Sequence, residues 1–194
     1  KRQELSLAPD VKTIAGRAAH LSKADLLTQM VGELPELQGV AGRFYAEHQN
    51  EPKDVASAIE QHYWPLTAEG RLPESEAAAL VSVVDKMDTL AANFSVGLIP
   101  SGSADPYGLR RAAVGVVRIL NDRRWNLPVG GLIGKAFANL GSDKGARELA
   151  DFFNQRVNGF FGAQGYRADE IDAVLSAGGA SVSVMASKLQ ALKA

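Results

Sequence analysis

Two short stretches place charge inside runs that otherwise read as the apolar core of a helix. One is Val84-Asp85-Lys86-Met87-Asp88-Thr89-Leu90. The other is Lys23-Ala24-Asp25-Leu26-Leu27-Thr28-Gln29-Met30. A charge in an apolar environment is costly unless it is paired or bound. Asp85 and Asp88 lie three apart, so a helix puts them on one side, where they could hold a cation or a basic side chain. Asp25 could pair with Lys86, or Lys23 with Asp85, and the spacing leaves both pairings open. A plain solvated strip around Lys86 is the alternative. The chain has three histidines, His20, His48 and His62, and none has an aspartate beside it. A metal-bound helical hydrolase needs histidines and aspartates that converge, so these three read as structural or exposed. No metal ligand set is assigned.

The other concentration of chemistry is basic. Arg110, Arg111, Arg118, Arg123 and Arg124 crowd into fifteen residues, with Trp125 directly after. Arg111 and Arg118 are seven apart and share one helix face. Arginine suits bidentate contact with phosphate, and tryptophan can stack on a base, so the set is a candidate RNA contact. The competing reading is a solubilising face with Asp105 and Asp122 as partners. Gly130-Gly131-Leu132-Ile133-Gly134-Lys135 superficially suggests a phosphate loop, but its spacing is wrong and no strand precedes it. There is no glycine-rich dinucleotide loop and no serine elbow. An adenylate-forming site would need an antiparallel sheet. The chain on its own is therefore not expected to be an enzyme.

These residues must be carried by helices. Apolar positions recur at helical spacing over residues 11–31, 37–46, 54–63, 74–94, 106–121, 129–140, 145–161, 169–177 and 184–192. Pro35, Pro65, Pro73 and Gly178-Gly179 punctuate them. Gly39 and Gly42, on one side of the second segment, would let another helix approach closely. No stretch shows the alternation of a strand. The expected class is all-α with eight or nine helices. A weak boundary falls in the 97–105 loop. Residues 1–96 would form the first part of the helical core. Residues 97–194, the basic helix and the aromatic amphipathic helices, would pack back on it as one domain.

Composition narrows the function further. The chain has 194 residues, 21 Lys plus Arg, 22 Asp plus Glu and a formal net charge of −1. No global field draws in nucleic acid, so any RNA contact must be local. The absence of cysteine excludes disulfides and thiolate metal sites. No run reaches the roughly 20 apolar residues of a membrane helix. The opening Lys1-Arg2-Gln3-Glu4 shows no signal-peptide pattern and no initiating methionine. The chain is therefore expected to be either processed or a piece of a longer chain, the nearby helical pattern favouring the second. A cytoplasmic location is expected, compatible with the lack of cysteine.

Three blocks, in order, carry a resemblance. They are Lys23-Ala-Asp-Leu-Leu-Thr-Gln-Met-Val-Gly-Glu-Leu-Pro-Glu-Leu-Gln-Gly39, Asp85-Lys-Met-Asp-Thr-Leu90 and Pro100-Ser-Gly-Ser-Ala-Asp-Pro-Tyr-Gly-Leu-Arg-Arg-Ala-Ala-Val-Gly-Val-Val-Arg-Ile-Leu120. Together they resemble the β subunit of bacterial tetrameric glycyl-tRNA synthetase, from about residue 10 to the C-terminus. The resemblance implies the central helical region of that subunit, similar to the HD superfamily of metal phosphohydrolases: an HD-domain-like helical bundle with additional C-terminal helices. It implies tRNA(Gly) and an α subunit as partners in an α2β2 assembly. The α subunit would use ATP and Mg2+ to activate glycine, and this piece would hold no cofactor. An anticodon-binding domain would lie beyond Ala194. In an active HD enzyme an isolated histidine, a His-Asp pair and a later aspartate bind metal. Here Lys23-Ala24-Asp25 stands where the His-Asp pair is expected, and Asp85 or Asp88 resembles the late aspartate. The resemblance thus implies a degenerate charged site of Lys23, Asp25, Asp85, Lys86 and Asp88, with a lysine replacing the cation. The implied role is tRNA recognition through Arg110, Arg111, Arg118, Arg123 and Arg124. A residual phosphohydrolase and a purely structural scaffold are the alternatives.

Overall fold

A computed structural model describes residues 7–101 and 105–193. The 102–104 part of the expected loop lies outside the described residues. All regular structure among the described residues is helical. Ten α-helices follow in order: α1 (Pro9–Leu21), α2 (Gln29–Glu33), α3 (Val40–His48), α4 (Lys53–Gln61), α5 (Glu76–Ser95), α6 (Leu109–Asp122), α7 (Val129–Leu140), α8 (Ala146–Gly162), α9 (Ala168–Ser176) and α10 (Val182–Leu192). Two 3-10 turns, Ala24–Leu27 and Pro35–Leu37, flank α2. The all-α expectation holds. The chain gathers into two compact units that divide inside α5, between Asp85 and Lys86.

The unit up to Asp85 is built around alanine. Ala15 and Ala18 of α1, Ala46 of α3, Val55, Ala56, Ala58 and Ile59 of α4, and Ala77, Ala78 and Val81 of α5 form one buried cluster. Small side chains let helix backbones come close, so contact area replaces side-chain bulk. Of the two glycines expected to allow such contact, Gly42 does so within α3, while Gly39 lies before α3 with φ +83°, outside the expected helix. A Cβ on Gly42 would lie 2.9 Å from Cγ2 of Ile59, and one on Gly39 would lie 2.7 Å from Cδ2 of Tyr63.

The expected continuous helix over 11–31 is broken. α1 stops at Leu21, and Lys23 takes a left-handed conformation with φ 68°. Thr28 then starts α2 as its cap, accepting the Val31 N–H at 3.4 Å. The apolar spacing ran on through the break because Ala24, Leu27 and Val31 keep the helical period. Of these only Val31 is buried, and Leu27 is 91% exposed.

The unit from Lys86 onward is aromatic and β-branched. Leu109, Ala113, Val116, Val117 and Leu120 make the buried stripe of α6, and Leu149, Phe152, Phe153, Val157 and Phe161 that of α8. Phe94 meets Phe152 edge-on at 5.1 Å, a favoured ring geometry. The Asp105 carboxylate opens α6 by accepting the N–H groups of Leu109 at 2.8 Å and Arg110 at 2.9 Å. Such a carboxylate satisfies otherwise orphaned donors and complements the helix dipole. The Gly130–Lys135 stretch lies inside α7 as ordinary helix, not as a phosphate loop.

Candidate functional site

Lys23, Asp25 and Asp85 resolve into two separate devices within the first unit. Lys23 lies past the end of α1, and its left-handed backbone turns the side chain toward α5. Its Nζ sits 3.0 Å from Oδ1 of Asp85 and 4.0 Å from the centre of the Tyr63 ring. One ammonium thus serves a carboxylate and an aromatic face together. Of the two pairings left open by the spacing, Lys23 with Asp85 forms.

Asp25 does something different. It is 2% exposed, and its Oδ2 accepts the N–H of Gly39 at 2.6 Å, at the start of α3. A carboxylate there is held by the helix dipole and by a charge-assisted hydrogen bond. The same carboxyl would lie 3.3 Å from a Cβ at Gly42, so α3 passes directly over it. Lys23 and Asp25 therefore do not lie in a long helix, as the periodicity suggested, but in a turn and a 3-10 segment. Burial pushes the Tyr63 hydroxyl up to about 12. The nearby Gln38 side chain opposes that shift, and the charges of Asp25 and Asp85 add to it.

Farther along α5, Lys86 is buried and Asp88 is exposed. Asp88 and Asp85 share a side of the helix, but only Asp85 is half-buried. His20 and His48 are exposed, while His62 is fully buried at the end of α4, with Nδ1 2.5 Å from the Ile59 carbonyl oxygen. Among the described residues, no three His, Cys, Asp or Glu side chains converge in a way that could hold a metal ion. A cleft of about 460 Å³ opens beside Asp25, lined also by Thr28, Tyr45, Ile59 and the Arg17–Glu51 ion pair.

The arginines belong to the second unit. Arg110, Arg111 and Arg118 lie on α6, and Arg123 and Arg124 follow its last turn. Arg111 and Arg124 are exposed, and Arg110, Arg118 and Arg123 are half-buried. The guanidinium of Arg111 folds back over Gly108, and Nε of Arg123 lies 3.5 Å from Oδ2 of Asp122. The expected stacking role of Trp125 is not available. The residue is 4% exposed, and its carbonyl is fastened by the Ser183 hydroxyl at 3.1 Å, so it belongs to the core.

One arginine escaped the sequence reading because it sits in the aromatic helix. Arg156 lies 3.9 Å above the Phe152 ring, four residues earlier on α8. Burial and the neighbouring positive charge of Arg110 lower its pKa, and Asp105 opposes them. The Phe-x-x-x-Arg spacing was the available signal, since it puts both side chains on one helix face. A second cleft, of about 540 Å³, lies between the end of α6 and α10 and was not legible at all.

Comparison with known proteins bears out the resemblance. A sequence profile of the family described as glycyl-tRNA synthetase beta subunit matches residues 2–176. The chain is 45% identical to the glycine–tRNA ligase beta subunit of Citrifermentans bemidjiense, over 99% of this chain and 29% of that protein. It is 48% identical to the protein of the same name from Geobacter sulfurreducens, over 89% of this chain and 26% of that one. The Limosilactobacillus reuteri counterpart is 44% identical over 88% of this chain and 26% of its own length. The chain thus spans between about a quarter and three-tenths of the length of these relatives. Among the described residues, no helix is long and apolar enough to cross a membrane.

Proposed function

This chain belongs to the glycyl-tRNA synthetase beta subunit family, and from that premise we propose that it is a helical, non-catalytic part of a cytoplasmic glycine–tRNA ligase β subunit. In this reading it helps hold tRNA(Gly) during ATP-dependent glycylation. The adenylate chemistry is carried by an α subunit in an α2β2 assembly, where ATP and Mg2+ bind.

The observation that carries the reading is α6. It puts Arg111 and Arg118 on one azimuth, has Arg110 at its first turn, and is followed by Arg123 and Arg124. A helix of this kind offers several guanidinium groups to a phosphate backbone, while the chain as a whole is nearly neutral. The degenerate charged site fits the same reading. Lys23 already supplies the countercharge of Asp85, and a helix N-terminus supplies that of Asp25. Lys23, Asp25 and Asp85 are assigned an architectural role rather than metal-dependent hydrolysis, and Lys86 and Asp88, on the part of α5 that belongs to the second unit, are assigned the same role there.

The test is charge reversal in the complete β subunit, reconstituted with its α subunit. Arg110→Glu, Arg111→Glu and Arg118→Glu together are expected to weaken tRNA binding at least tenfold. The slope of log affinity against log salt should fall by about one for each phosphate that is no longer neutralised. Glycylation should suffer through KM for tRNA. Unchanged affinity together with unchanged glycylation would refute the assignment.

A further inference from the structure

Among the described residues, three other than glycine enter the left-handed region, and one of them is Arg124, with φ 51°. Its position is that of the residue just past a helix end. The Arg124 N–H bonds the Asn121 carbonyl at 3.1 Å, and the Trp125 N–H reaches back to the Leu120 carbonyl at 3.1 Å. In a helix stop of this kind glycine is the favoured residue, because a Cβ is crowded there. An arginine instead stores backbone strain. Such strain, where the surroundings hold it in place, is a pointer to a functional demand on the side chain.

The surroundings do hold it. Behind Arg124 the buried Trp125 anchors the chain, and its carbonyl accepts the Ser183 hydroxyl at 3.1 Å. The next residue, Asn126, accepts the Ser181 hydroxyl through Oδ1 at 2.9 Å. The segment after α6 is thereby stapled to the start of α10.

The strained residue opens into the cleft of about 540 Å³, lined by Asn121, Asn126, Ser183, Ser187 and Gln190 around Arg124. Its polar lining is amides and hydroxyls, and Arg124 is the one charged group among them. No ion pair engages Arg124 among the described residues, and its side chain is exposed. A groove with one cation amid neutral donors and acceptors suits a ligand with a single phosphate beside sugar hydroxyls and base edges.

We propose that the cleft between the end of α6 and α10 is an RNA-strand subsite, in which Arg124 grips one backbone phosphate and Asn121, Asn126, Ser187 and Gln190 contact the adjoining ribose or base. The assignment rests on the tRNA-binding reading and singles out one arginine and one groove within it.

The test uses the reconstituted α–β enzyme. Arg124→Gly removes the cation and at the same time gives the backbone the residue it favours. Thermal stability should stay equal or rise, while tRNA affinity falls roughly tenfold and the salt slope falls by about one. Gln190→Glu, on the exposed side of α10, puts a carboxylate into the groove without touching the backbone, and should weaken binding to a similar extent. The triple reversal on α6 serves as the reference. If the reversals weaken tRNA binding and both cleft variants bind as wild type does, the groove is not a subsite and the tRNA reading stands. If the reversals also have no effect, the tRNA reading itself falls and takes the groove with it.

Discussion

Removing the Asp25 carboxylate should be far more damaging than its place in an irregular turn suggests. Asp25 is 2% exposed and lies 2.6 Å from the N–H of Gly39, itself buried. Asp25→Ala takes away a charge-assisted hydrogen bond and leaves a buried N–H without its acceptor. Those effects overlap and together cost about 3 kcal/mol. Asp25→Asn keeps an oxygen at the same place and loses only the interaction of the charge with the start of α3, about 1 kcal/mol. For a chain of 194 residues the alanine variant should melt roughly 6–12 °C lower. Circular dichroism on heating and urea titration at neutral pH would both read it, with the urea slope unchanged. An alanine variant within about 0.5 kcal/mol of wild type, smaller than typical loss of a helix cap, would refute the reasoning. So would an asparagine variant as damaged as the alanine one, because most of the loss should come from the missing acceptor.

Two further outcomes follow from other positions. Gly145 has φ +90°, and a Cβ there would press on the carbonyl of Phe94, 2.7 Å from its carbon. Gly145→Ala should therefore cost at least about 3 kcal/mol in urea unfolding, strain and backbone displacement together, and a loss below about 1 kcal/mol would contradict the contact. The Tyr63 hydroxyl ionises near 12 in the fold against about 10 when exposed. A group whose folded pKa is raised contributes stability that is present below the unfolded value and lost as pH rises through the folded one. Wild type should lose stability between about pH 10 and 12, and Tyr63→Phe should lessen that loss and remove the late phenol from an ultraviolet titration at the same pH.

The legible part of the fold was the part governed by helical periodicity. The expected 129–140 segment is α7 as it stands, and the expected 74–94 and 145–161 segments differ from α5 and α8 by one or two residues at each end. Those helices bury one continuous stripe, so pattern and packing agree. The failure came at Lys23. Its left-handed backbone accompanies a cation that reaches Asp85 and Tyr63 in a distant part of the sequence, and no local rule anticipates a left-handed lysine. Trp125 failed for a related reason. A tryptophan after two arginines looks like a stacking platform, but the reversal of direction after α6 turns its ring inward. The residue types of the candidate site were all visible beforehand. Their grouping was not, because Asp25 meets a backbone N–H rather than a side chain, and the groove around Arg124 joins residues some sixty positions apart.

The pairing of Lys23 with Asp85 has a consequence for the conditions under which this unit folds. A soluble ion leaves its site when its free concentration falls below its dissociation constant. An ammonium on the same polypeptide cannot be diluted away, and its effective concentration is fixed by the turn at Lys23. A chelator therefore does not reach this charge balance, and added salt acts on the partly exposed pair by screening it. It is built at translation and lasts as long as the chain stays folded.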